Sequence, residues 1–521
     1  MIIKKAKMTL QKVRRIGFSI SIFALFISIA VSLFYTPFFI DSVGDRQYGI
    51  FSFVSSIVSW LSTLTICLGS GYYRFVLREK KRNGEKGEAL ANGAFQKIFL
   101  FADLAIALIG IAIWIFFYFG IIPLPEYNAS ERQLITSMIF VSVIGILLVI
   151  PFTHFTAFPY YKEKYIFTNL IPIITTVFQT GLSFLFLKLG FNVFTILIIH
   201  YAVSFGVVLL QYFYAVFCLK QKTQFVLRTK DEREKTKSLI KEIFIFSIFV
   251  AVNTLVDIFD KNAGITILGF VDPYDVTIYQ LSISFRTYLL TMGAAVSTVF
   301  TKEMYDACVT DESDKRMNAV FLKASKIASI IIGLVLCGFL GCGEHFVIAW
   351  LGSEKKIVYL FASILLIVWS IPIAYLPATE VRRAKNRHQP SSIVYLLTTL
   401  SNFGLSIGLI ALLGKDMAIW ACIIGTLLTT FIGRWIVLPI MDKRMINLDV
   451  KKFFFQATKY LSIGLACGMF VHFMSLSESS ENINNWIMTI KEGSIAALMY
   501  ILLIMCFDHD FIKTIFKRKL K

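Results

Sequence analysis

The chain has 521 residues, of which 57% are hydrophobic and only 16% charged, and its mean hydropathy is +0.71. Soluble proteins carry about a quarter charged residues, so this composition excludes a set of soluble domains. Apolar runs of roughly 20 residues recur along the chain, and each is long enough to cross a ~30 Å hydrocarbon core as a helix. The sequence therefore predicts an all-α, polytopic integral membrane protein.

The apolar runs predict fourteen transmembrane spans. The opposite ends of the spans differ strongly in positive charge: one set of loops carries only Arg46, Arg132, Lys188, Lys355, Lys356 and Lys415, although the chain has 52 Lys and Arg. This bias predicts that both termini are cytoplasmic. The net charge of +19 is therefore interpreted as a determinant of membrane topology and not as a nucleic-acid-binding surface. The predicted spans are centred on residues 16–38, 49–73, 98–122, 134–153, 166–187, 193–217, 243–268, 277–300, 327–349, 357–377, 391–413, 417–440, 454–474 and 486–507.

The first two spans flank a short polar segment, FFIDSVGDRQYGIF, at residues 38–51. The apolar run before it is too long for a signal peptide and has no small-residue cleavage site, so we expect it to be retained as the first span. The polar segment predicts a tight external turn with Arg46 at its tip. Two interpretations of Arg46 stay open: an ordinary solvated charge, or an external contact for a phosphate. In the second span, polar residues at helical spacing predict one polar face, which comprises Ser52, Ser56, Ser59, Thr63, Ser70 and Arg74.

The seventh and eighth spans carry ionisable residues at membrane depth. In the seventh, Asn253, Asp257, Asp260 and Lys261 share a face, and in the eighth Arg286 aligns with Ser282, Gly293 and Ser297. At ~1.5 Å per residue, Asp260 and Arg286 lie roughly 13 and 15 Å from the helix ends. Two interpretations stay open: these groups line a hydrated cavity that binds substrate, or they form a structural ion-pair network.

Arg434, near the cytoplasmic end of the twelfth span, is expected to extend to the membrane surface.

No enzyme signature is present in the sequence. Gly408–Asp416 has the wrong glycine spacing for a phosphate loop and ends in Asp where Ser or Thr would hold magnesium. Asp508-His509-Asp510 is interpreted as a charged exit from the membrane, and the eight cysteines as small buried residues. We therefore expect neither catalysis, nor a metal, nor a cofactor, and the chain is expected to act through its membrane helices.

Two internal segments suggest a repeat. Asp41 to Tyr48 and Asp272 to Tyr279 each place an Asp before a tight turn and a Tyr seven positions later. We therefore predict two parallel six-helix repeats, spans 1–6 and 7–12, around a central cavity, with spans 13 and 14 added. The predicted domains are an N-terminal lobe (1–218), a cytoplasmic linker (219–242), a C-terminal lobe (243–440) and a final pair of helices with a basic tail (441–521).

The N-terminal segment, residues 36–75, resembles the polysaccharide-type flippases of the MOP (multidrug/oligosaccharidyl-lipid/polysaccharide) exporter superfamily. The shared features are a Pro near the end of span 1, the Gly-x-x-x-Tyr-Gly turn, and a Gly-x-Gly followed by Arg. Asp260-Lys261, Trp350-Leu351-Gly352 and Ala384–Arg387 are similar to later family motifs. This chain departs from the family pattern at Asn262-Ala263-Gly264, which interrupts the apolar run after Lys261.

The resemblance implies two lobes that rock around a central cavity and move a lipid-linked cargo. The cargo is expected to be an undecaprenyl-pyrophosphate-linked oligosaccharide, flipped to the outer leaflet of the bacterial cytoplasmic membrane for O-antigen, capsule or other surface polysaccharide. Partners would be membrane lipids, a polysaccharide polymerase and glycosyltransferases, with no nucleic acid. The expected substrate-binding residues are Arg74, Asn253, Lys261, Arg286, Ser52, Ser56 and Ser59.

The sequence has no nucleotide-binding motif, so transport is not expected to be driven by ATP. A proton gradient, a sodium gradient or the membrane potential is expected to drive transport, with Asp257 and Asp260 as candidate ion carriers. Two alternatives remain: an ion-coupled multidrug or small-metabolite exporter of the same superfamily, and a non-transporting scaffold of a glycan-assembly complex. The sequence identifies neither the glycan, nor the coupling ion, nor the oligomeric state.

Overall fold

The structure is a computed structural model that describes residues 2–225, 229–308, 313–477 and 484–508. These residues form seventeen α-helices, joined by short 3₁₀ and π segments, and within the described ranges there is no β-strand. The predicted all-α fold is therefore confirmed. The chain divides into two compact units, Met1–Thr277 and Ile278–Lys521, which are described separately below.

The N-terminal unit contains eight helices. Its principal packed pairs are α1 with α6, α2 with α8, α3 with α4, and α4 with α7. Helix α3 bends at Asn83 and Gly84, where the backbone leaves the helical region. The helices are α1 (Ile2–Val43), α2 (Asp45–Gly69), α3 (Tyr72–Tyr118), α4 (Ala129–Val149), α5 (Thr153–Tyr161), α6 (Tyr165–Lys188), α7 (Val193–Phe213) and α8 (Lys230–Gly269).

The C-terminal unit is organised around α10, which packs against α11, α16 and α17. Its first helix, α9, begins with one turn that belongs to the N-terminal unit. The helices are α9 (Pro273–Cys308), α10 (Ser313–Leu351), α11 (Ile357–Ala374), α12 (Pro377–Ala384), α13 (Gln389–Leu413), α14 (Ala418–Thr430), α15 (Leu438–Ile446), α16 (Val450–Ser477) and α17 (Asn485–Phe507).

Twelve helical segments in the described ranges are long and apolar enough to cross a membrane. One of them, Asp45–Tyr118, contains both α2 and α3 and so includes two of the predicted spans. Helix α8 contains the seventh predicted span and is not among the twelve; its apolar stretch includes Asp257, Asp260 and Lys261. The helices thus correspond closely to the fourteen spans predicted from the sequence.

The division into units differs from the predicted boundaries 1–218, 219–242, 243–440 and 441–521. Helix α8 belongs to the N-terminal unit because it packs along α2, and α16 and α17 belong to the C-terminal unit because they pack on α10. The second half of the predicted linker is helical: Thr229 caps α8 in a capping box with Glu232, and the helix continues into the apolar stretch.

The turn between α1 and α2 is built on two glycines. Gly44 is the residue between the two helices and has a φ of +85°, a conformation that costs a residue with a Cβ about 1 kcal/mol or more. Gly49 lies one turn into α2, where a Cβ would lie 1.8 Å from the carbonyl oxygen of Pro273. The first turn of α9 therefore crosses α2 at van der Waals contact, and the hydroxyl of Thr277 donates to the Asp45 carbonyl at 2.7 Å.

Substitution Gly49→Ala is expected to destabilise the protein by about 1–3 kcal/mol, because the contact is with backbone and α2 must move away from Pro273. The measurement is the thermal unfolding midpoint of the purified protein in detergent. Gly181→Ala in α6 is the matched control, since a Cβ there meets no atom within 4 Å and Ala favours the helix. Equal midpoints for the two variants would contradict the close crossing.

Candidate functional site

A stack of arginine and aromatic side chains lies inside the C-terminal unit. The guanidinium carbon of Arg286, in α9, lies 4.5 Å from the ring centre of Trp369 in α11. The guanidinium carbon of Arg434, in the π-helical segment after α14, lies 4.4 Å from the same ring and 4.9 Å from the ring of Tyr395 in α13. Cations at this distance are attracted by the ring quadrupole, so each ring holds a guanidinium in place.

The stack continues to a buried ion pair at Arg382 in α12. One nitrogen of its guanidinium donates to the Asp442 carboxylate at 2.6 Å, and another donates to the Tyr395 hydroxyl at 2.9 Å and to Thr379 at 2.8 Å. The Tyr375 hydroxyl donates to the same carboxylate oxygen of Asp442 at 2.9 Å. Both charged side chains of the pair are 1% exposed. We call these residues the arginine cluster: Arg286, Trp369, Arg382, Tyr395, Arg434 and Asp442.

The arginine cluster contains three guanidinium groups and one carboxylate. Charges taken out of water are costly unless opposite charges or hydrogen bonds compensate them. Guanidinium nitrogens donate in pairs to anionic groups such as a phosphate, so the cluster contains the type of donor that a phosphate binds.

The predicted polar face of α9 is a packed face in this structure. Arg286 is 2% exposed, and Ser282 and Ser297 are equally well buried. A Cβ on Gly293 would lie 2.3 Å from the Cγ2 of Ile373, so α9 approaches α11 closely along this face. The hydrated face expected from the sequence is thus filled by Trp369 and Ile373 side chains, and access of water or cargo to Arg286 requires a change in this packing.

The side chain of Arg434 also lies in a different place from the one predicted. It was expected to extend to the membrane surface, whereas its guanidinium lies between Trp369 and Tyr395. The π-helical segment Phe431–Val437 places it there, and the next side chain, Trp435, donates to the carbonyl of Val368 at 2.8 Å. The two aromatic faces offer more favourable contacts than lipid, which accounts for the inward orientation.

In the N-terminal unit, the polar face of α2 lies against α8. The Ser56 hydroxyl is 3.0 Å from the hydroxyl of Thr266, and the Trp60 indole donates to the same oxygen at 3.2 Å. Ser52 is also buried, and half-buried Ser59 donates to the carbonyl of Ser55. These serines are therefore helix-packing groups in this structure, as Ser and Thr commonly are between membrane helices.

The ionisable residues of α8 lie on other faces of that helix. Asp257 and Lys261 are exposed and Asp260 is half-buried, whereas Phe259 contacts Trp60 of α2. The side chain of Asn253 lies outside the described residues. The structure places this group in the N-terminal unit and Arg286 in the C-terminal unit, where it joins the arginine cluster.

Arg74 is not on the same continuous helix as the serines. Helix α2 ends at Gly69, and Arg74 lies in the first turn of α3. Its side chain is exposed, and the guanidinium carbon lies 5.4 Å from the ring centre of Phe246 in α8. The spacing that aligned Arg74 with Ser70 therefore crosses a break between two helices, so the predicted stripe ends at Ser70.

Arg46 joins three segments of the N-terminal unit. Its guanidinium donates to both carboxylate oxygens of Glu131 at 2.8 and 3.2 Å, to Asp272 at 2.9 Å and to the carbonyl of Glu126 at 3.0 Å. Nearby, Tyr127 donates to the carbonyl of Gly269 at 2.6 Å, and burial raises the pKa of Tyr127 well above its ordinary value, which keeps this donor protonated. A phosphate contact at Arg46 would therefore require these ion pairs to open.

An apolar cavity of about 400 Å³ lies between α2, α3 and α8 in the N-terminal unit. Its walls are almost entirely hydrocarbon, with the buried hydroxyl of Ser247 as an exception. A cavity of this chemistry accepts an alkyl or isoprenoid chain. It is lined by residues that include Cys67, Leu68, Ile98, Phe101, Phe244 and Ile248.

Sequence reasoning did not identify Trp369, Arg382, Tyr395 and Asp442 as parts of the site. Arg382 falls between the predicted spans 357–377 and 391–413, but it lies on the short helix α12 and is fully buried. The sequence signal that could have predicted α12 is Pro377, because proline is favoured at the first position of a helix.

No protein-family model matches the chain. Over 410 residues the chain is 24% identical to the uncharacterized membrane protein EpsK of Bacillus subtilis (strain 168), and the match covers 76% of each protein.

Two solved structures have similar folds. The first is the lipid II flippase MurJ in an inward closed conformation, with a TM-score of 0.70 and 16% identity over 95% of this chain and 100% of that one. The second is an inward-facing multidrug-resistance MATE transporter of the MOP superfamily, with a TM-score of 0.55 and 15% identity over 81% and 98%. The chain has the MurJ/MATE fold. The fold predicted from the resemblance is therefore confirmed.

Proposed function

We propose that the chain moves a polyprenyl-pyrophosphate-linked oligosaccharide from the inner to the outer leaflet of the bacterial cytoplasmic membrane by alternating access, for the assembly of a cell-surface polysaccharide. The observation that carries the proposal is the fold: the lipid II flippase aligns over 95% of this chain and over its own full length. The MATE transporter leaves about a fifth of this chain unmatched, since it covers 81%.

The chemistry of the arginine cluster supports an anionic cargo. A diphosphate cannot enter hydrocarbon without cations or hydrogen-bond donors, and charge-assisted bonds from guanidinium groups are among the strongest available. Arg286 and Arg434 hold their guanidinium groups against aromatic rings, where the planar geometry is already set. Independently, the apolar cavity of the N-terminal unit has walls that would suit an isoprenoid chain.

The proposed function also implies a membrane location, partner proteins and an energy source. The protein would lie in the cytoplasmic membrane with both termini inside the cell, and it would receive its cargo from glycosyltransferases and deliver it to a polysaccharide polymerase. Lipopolysaccharide O-antigen and capsule are the candidate products. Transport would be driven by an ion gradient or by the membrane potential, and the protein itself would catalyse no chemical reaction.

A second candidate is a multidrug or metabolite exporter, which the similarity to MATE transporters favours. Small organic cations would require acidic side chains at the binding site, whereas the arginine cluster is built largely from guanidinium groups, which donate to anions. The donor chemistry of the cluster therefore favours the flippase over the exporter.

The deciding test is a deletion strain with and without the wild-type gene. We expect the deletion to lose surface polysaccharide and to accumulate the lipid-linked intermediate in the inner leaflet, measured by accessibility of the glycan to a membrane-impermeant reagent. Complementation should clear the intermediate. An unchanged glycan together with new sensitivity to cationic drugs would instead establish the exporter. A scaffold would be indicated if substitutions in the arginine cluster preserved glycan export at normal protein levels.

A further inference from the structure

A second group of ionisable side chains lies where α10, α16 and α17 meet, away from the arginine cluster. Glu492 of α17 is 3% exposed. The Nδ1 of His345, in α10, lies 3.0 Å from one of its carboxylate oxygens, and the hydroxyl of Ser475, in α16, donates to the other. One buried carboxylate thus joins three helices through a histidine and a serine.

The surrounding charges are mostly compensated. Glu344 in α10 accepts from Lys356, at the start of α11, at 2.6 Å, and its other oxygen lies 3.8 Å from the Nε2 of His472 in α16. Two other titratable groups face Glu492, Cys342 of α10 and Tyr359 of α11. The sulfur of Cys342 lies 3.3 Å from the position that a Cβ on Gly493 would take. The hydroxyl of Tyr359 donates to the carbonyl of Leu340.

The charge balance of this group is one proton short of neutrality. With both histidines neutral, the named residues carry two carboxylates, Glu344 and Glu492, against the one ammonium group of Lys356. A buried carboxylate whose described hydrogen-bond partners are a serine and a neutral imidazole is poorly compensated. Addition of one proton, to His345 or to Glu492, makes the group neutral.

The group lies at the end of the C-terminal unit that the charge distribution places outside the cell. His345 is six residues before the end of α10, and Glu492 is seven residues after the start of α17, so both are roughly 10 Å from those helix ends. His345 is still 27% exposed, so the buried carboxylate connects to the surface through the histidine.

We propose that Glu492 and His345 form a proton-binding site that couples transport to the proton gradient across the membrane. A proton from outside binds the pair and converts imidazole and carboxylate into either an imidazolium–carboxylate pair or an imidazole–carboxylic acid pair. Because Glu492 holds α17 to α10 and α16, the bound proton strengthens this three-helix contact, and its release weakens it. The assignment differs from that to Asp257 and Asp260, and its transport role rests on the proposed function.

The first test measures proton binding and needs no cargo. Infrared difference spectra of purified wild-type protein minus Glu492→Gln isolate the carboxyl bands of Glu492 as pH is varied. We expect the protonated band to replace the carboxylate band within the range in which the protein stays folded, and His345→Gln to move the midpoint. A Glu492 carboxylate that never takes up a proton, or a midpoint that ignores His345→Gln, would overturn the proposal even if flipping is established.

The second test measures flipping of a polyprenyl-pyrophosphate glycan in proteoliposomes with and without a proton gradient. We expect the gradient to accelerate the wild type and to have no effect on Glu492→Gln, whose flipping without a gradient persists. Glu303→Gln is the matched control, since this exposed glutamate pairs with Lys323 at 3.4 Å on the same unit and should keep the wild-type response. Loss of the response in Asp257→Asn but not in Glu492→Gln would overturn the assignment.

The variant Glu492→Gln distinguishes an effect on folding from an effect on proton coupling. Gln keeps the size of Glu but has no charge and cannot bind the proton. A purely structural role of the Glu492 charge predicts a lower thermal midpoint with an unchanged gradient response. The proton-binding role predicts a retained midpoint with a lost response. If no flipping is seen with any variant, the proposed function fails, and the infrared titration alone then decides whether Glu492 binds a proton.

Discussion

Replacing Arg286 by Ala is expected to abolish glycan export while leaving the protein in the membrane. Arg286 is 2% exposed and lies over Trp369, so a phosphate of the cargo reaches its guanidinium only when the packing between α9 and α11 changes. Truncation of one partner of a buried charged pair costs about 2–5 kcal/mol, which corresponds to a loss of cargo binding of roughly thirtyfold or more. The readouts are surface polysaccharide and the leaflet in which the lipid-linked intermediate accumulates.

Two further substitutions sharpen this test. Arg286→Lys keeps the charge but loses the planar stacking on Trp369, so we expect partial export. Arg383→Ala is the matched control, since its guanidinium is 59% exposed and pairs only with Glu380 on the surface of α12 among the contacts described. Normal export by Arg286→Ala at normal protein levels, indistinguishable from Arg383→Ala, would remove Arg286 from the transport mechanism.

Replacing Asp442 by Ala is expected to be the most destabilising of the single changes considered, with a loss of about 3–5 kcal/mol. The substitution leaves the Arg382 guanidinium 1% exposed without its carboxylate, and the Tyr375 hydroxyl loses its acceptor. The measurement is the thermal unfolding midpoint in detergent together with the yield of folded protein.

The double variant Arg382→Met with Asp442→Leu removes both charges and should recover most of the lost stability, because apolar groups of similar size can replace a buried ion pair. Glu380→Ala is the control on the same helix. Its partner Arg383 is 59% exposed, so their ion pair should be worth no more than about 1 kcal/mol. A midpoint for Asp442→Ala equal to that of Glu380→Ala would show that the Arg382–Asp442 pair contributes little.

Asp442 and Arg286 lie at opposite ends of the arginine cluster. Arg382 is neutralised by Asp442 and anchors α12 to α15, whereas Arg286 and Arg434 are held by aromatic faces. The anchored end gives the cluster its stability, and the aromatic end supplies the positive charge that we assign to cargo. Loss of stability and loss of transport should therefore separate between Asp442→Ala and Arg286→Ala.

The sequence by itself determined the all-helical membrane fold and the approximate bounds of its helices. In hydrocarbon each segment must satisfy its own backbone hydrogen bonds, so an apolar run of sufficient length predicts a helix without knowledge of its neighbours. The same holds for the turn at Gly44, whose φ of +85° is a local property of the chain. Helical periodicity also identified the α9 face that carries Arg286, and that face is a single buried surface.

Only the tertiary structure decided what each face contacts. Periodicity predicts which residues share a face, but the partner of that face depends on packing between segments far apart in the chain. Thus Ser56 and Thr266, 210 positions apart, meet between α2 and α8, and Arg286 of α9 meets Trp369 of α11. Buried charges become neutral through neighbours brought together by folding, which no single segment of sequence specifies, and this is why the arginine cluster and the Glu492–His345 pair appear only in three dimensions.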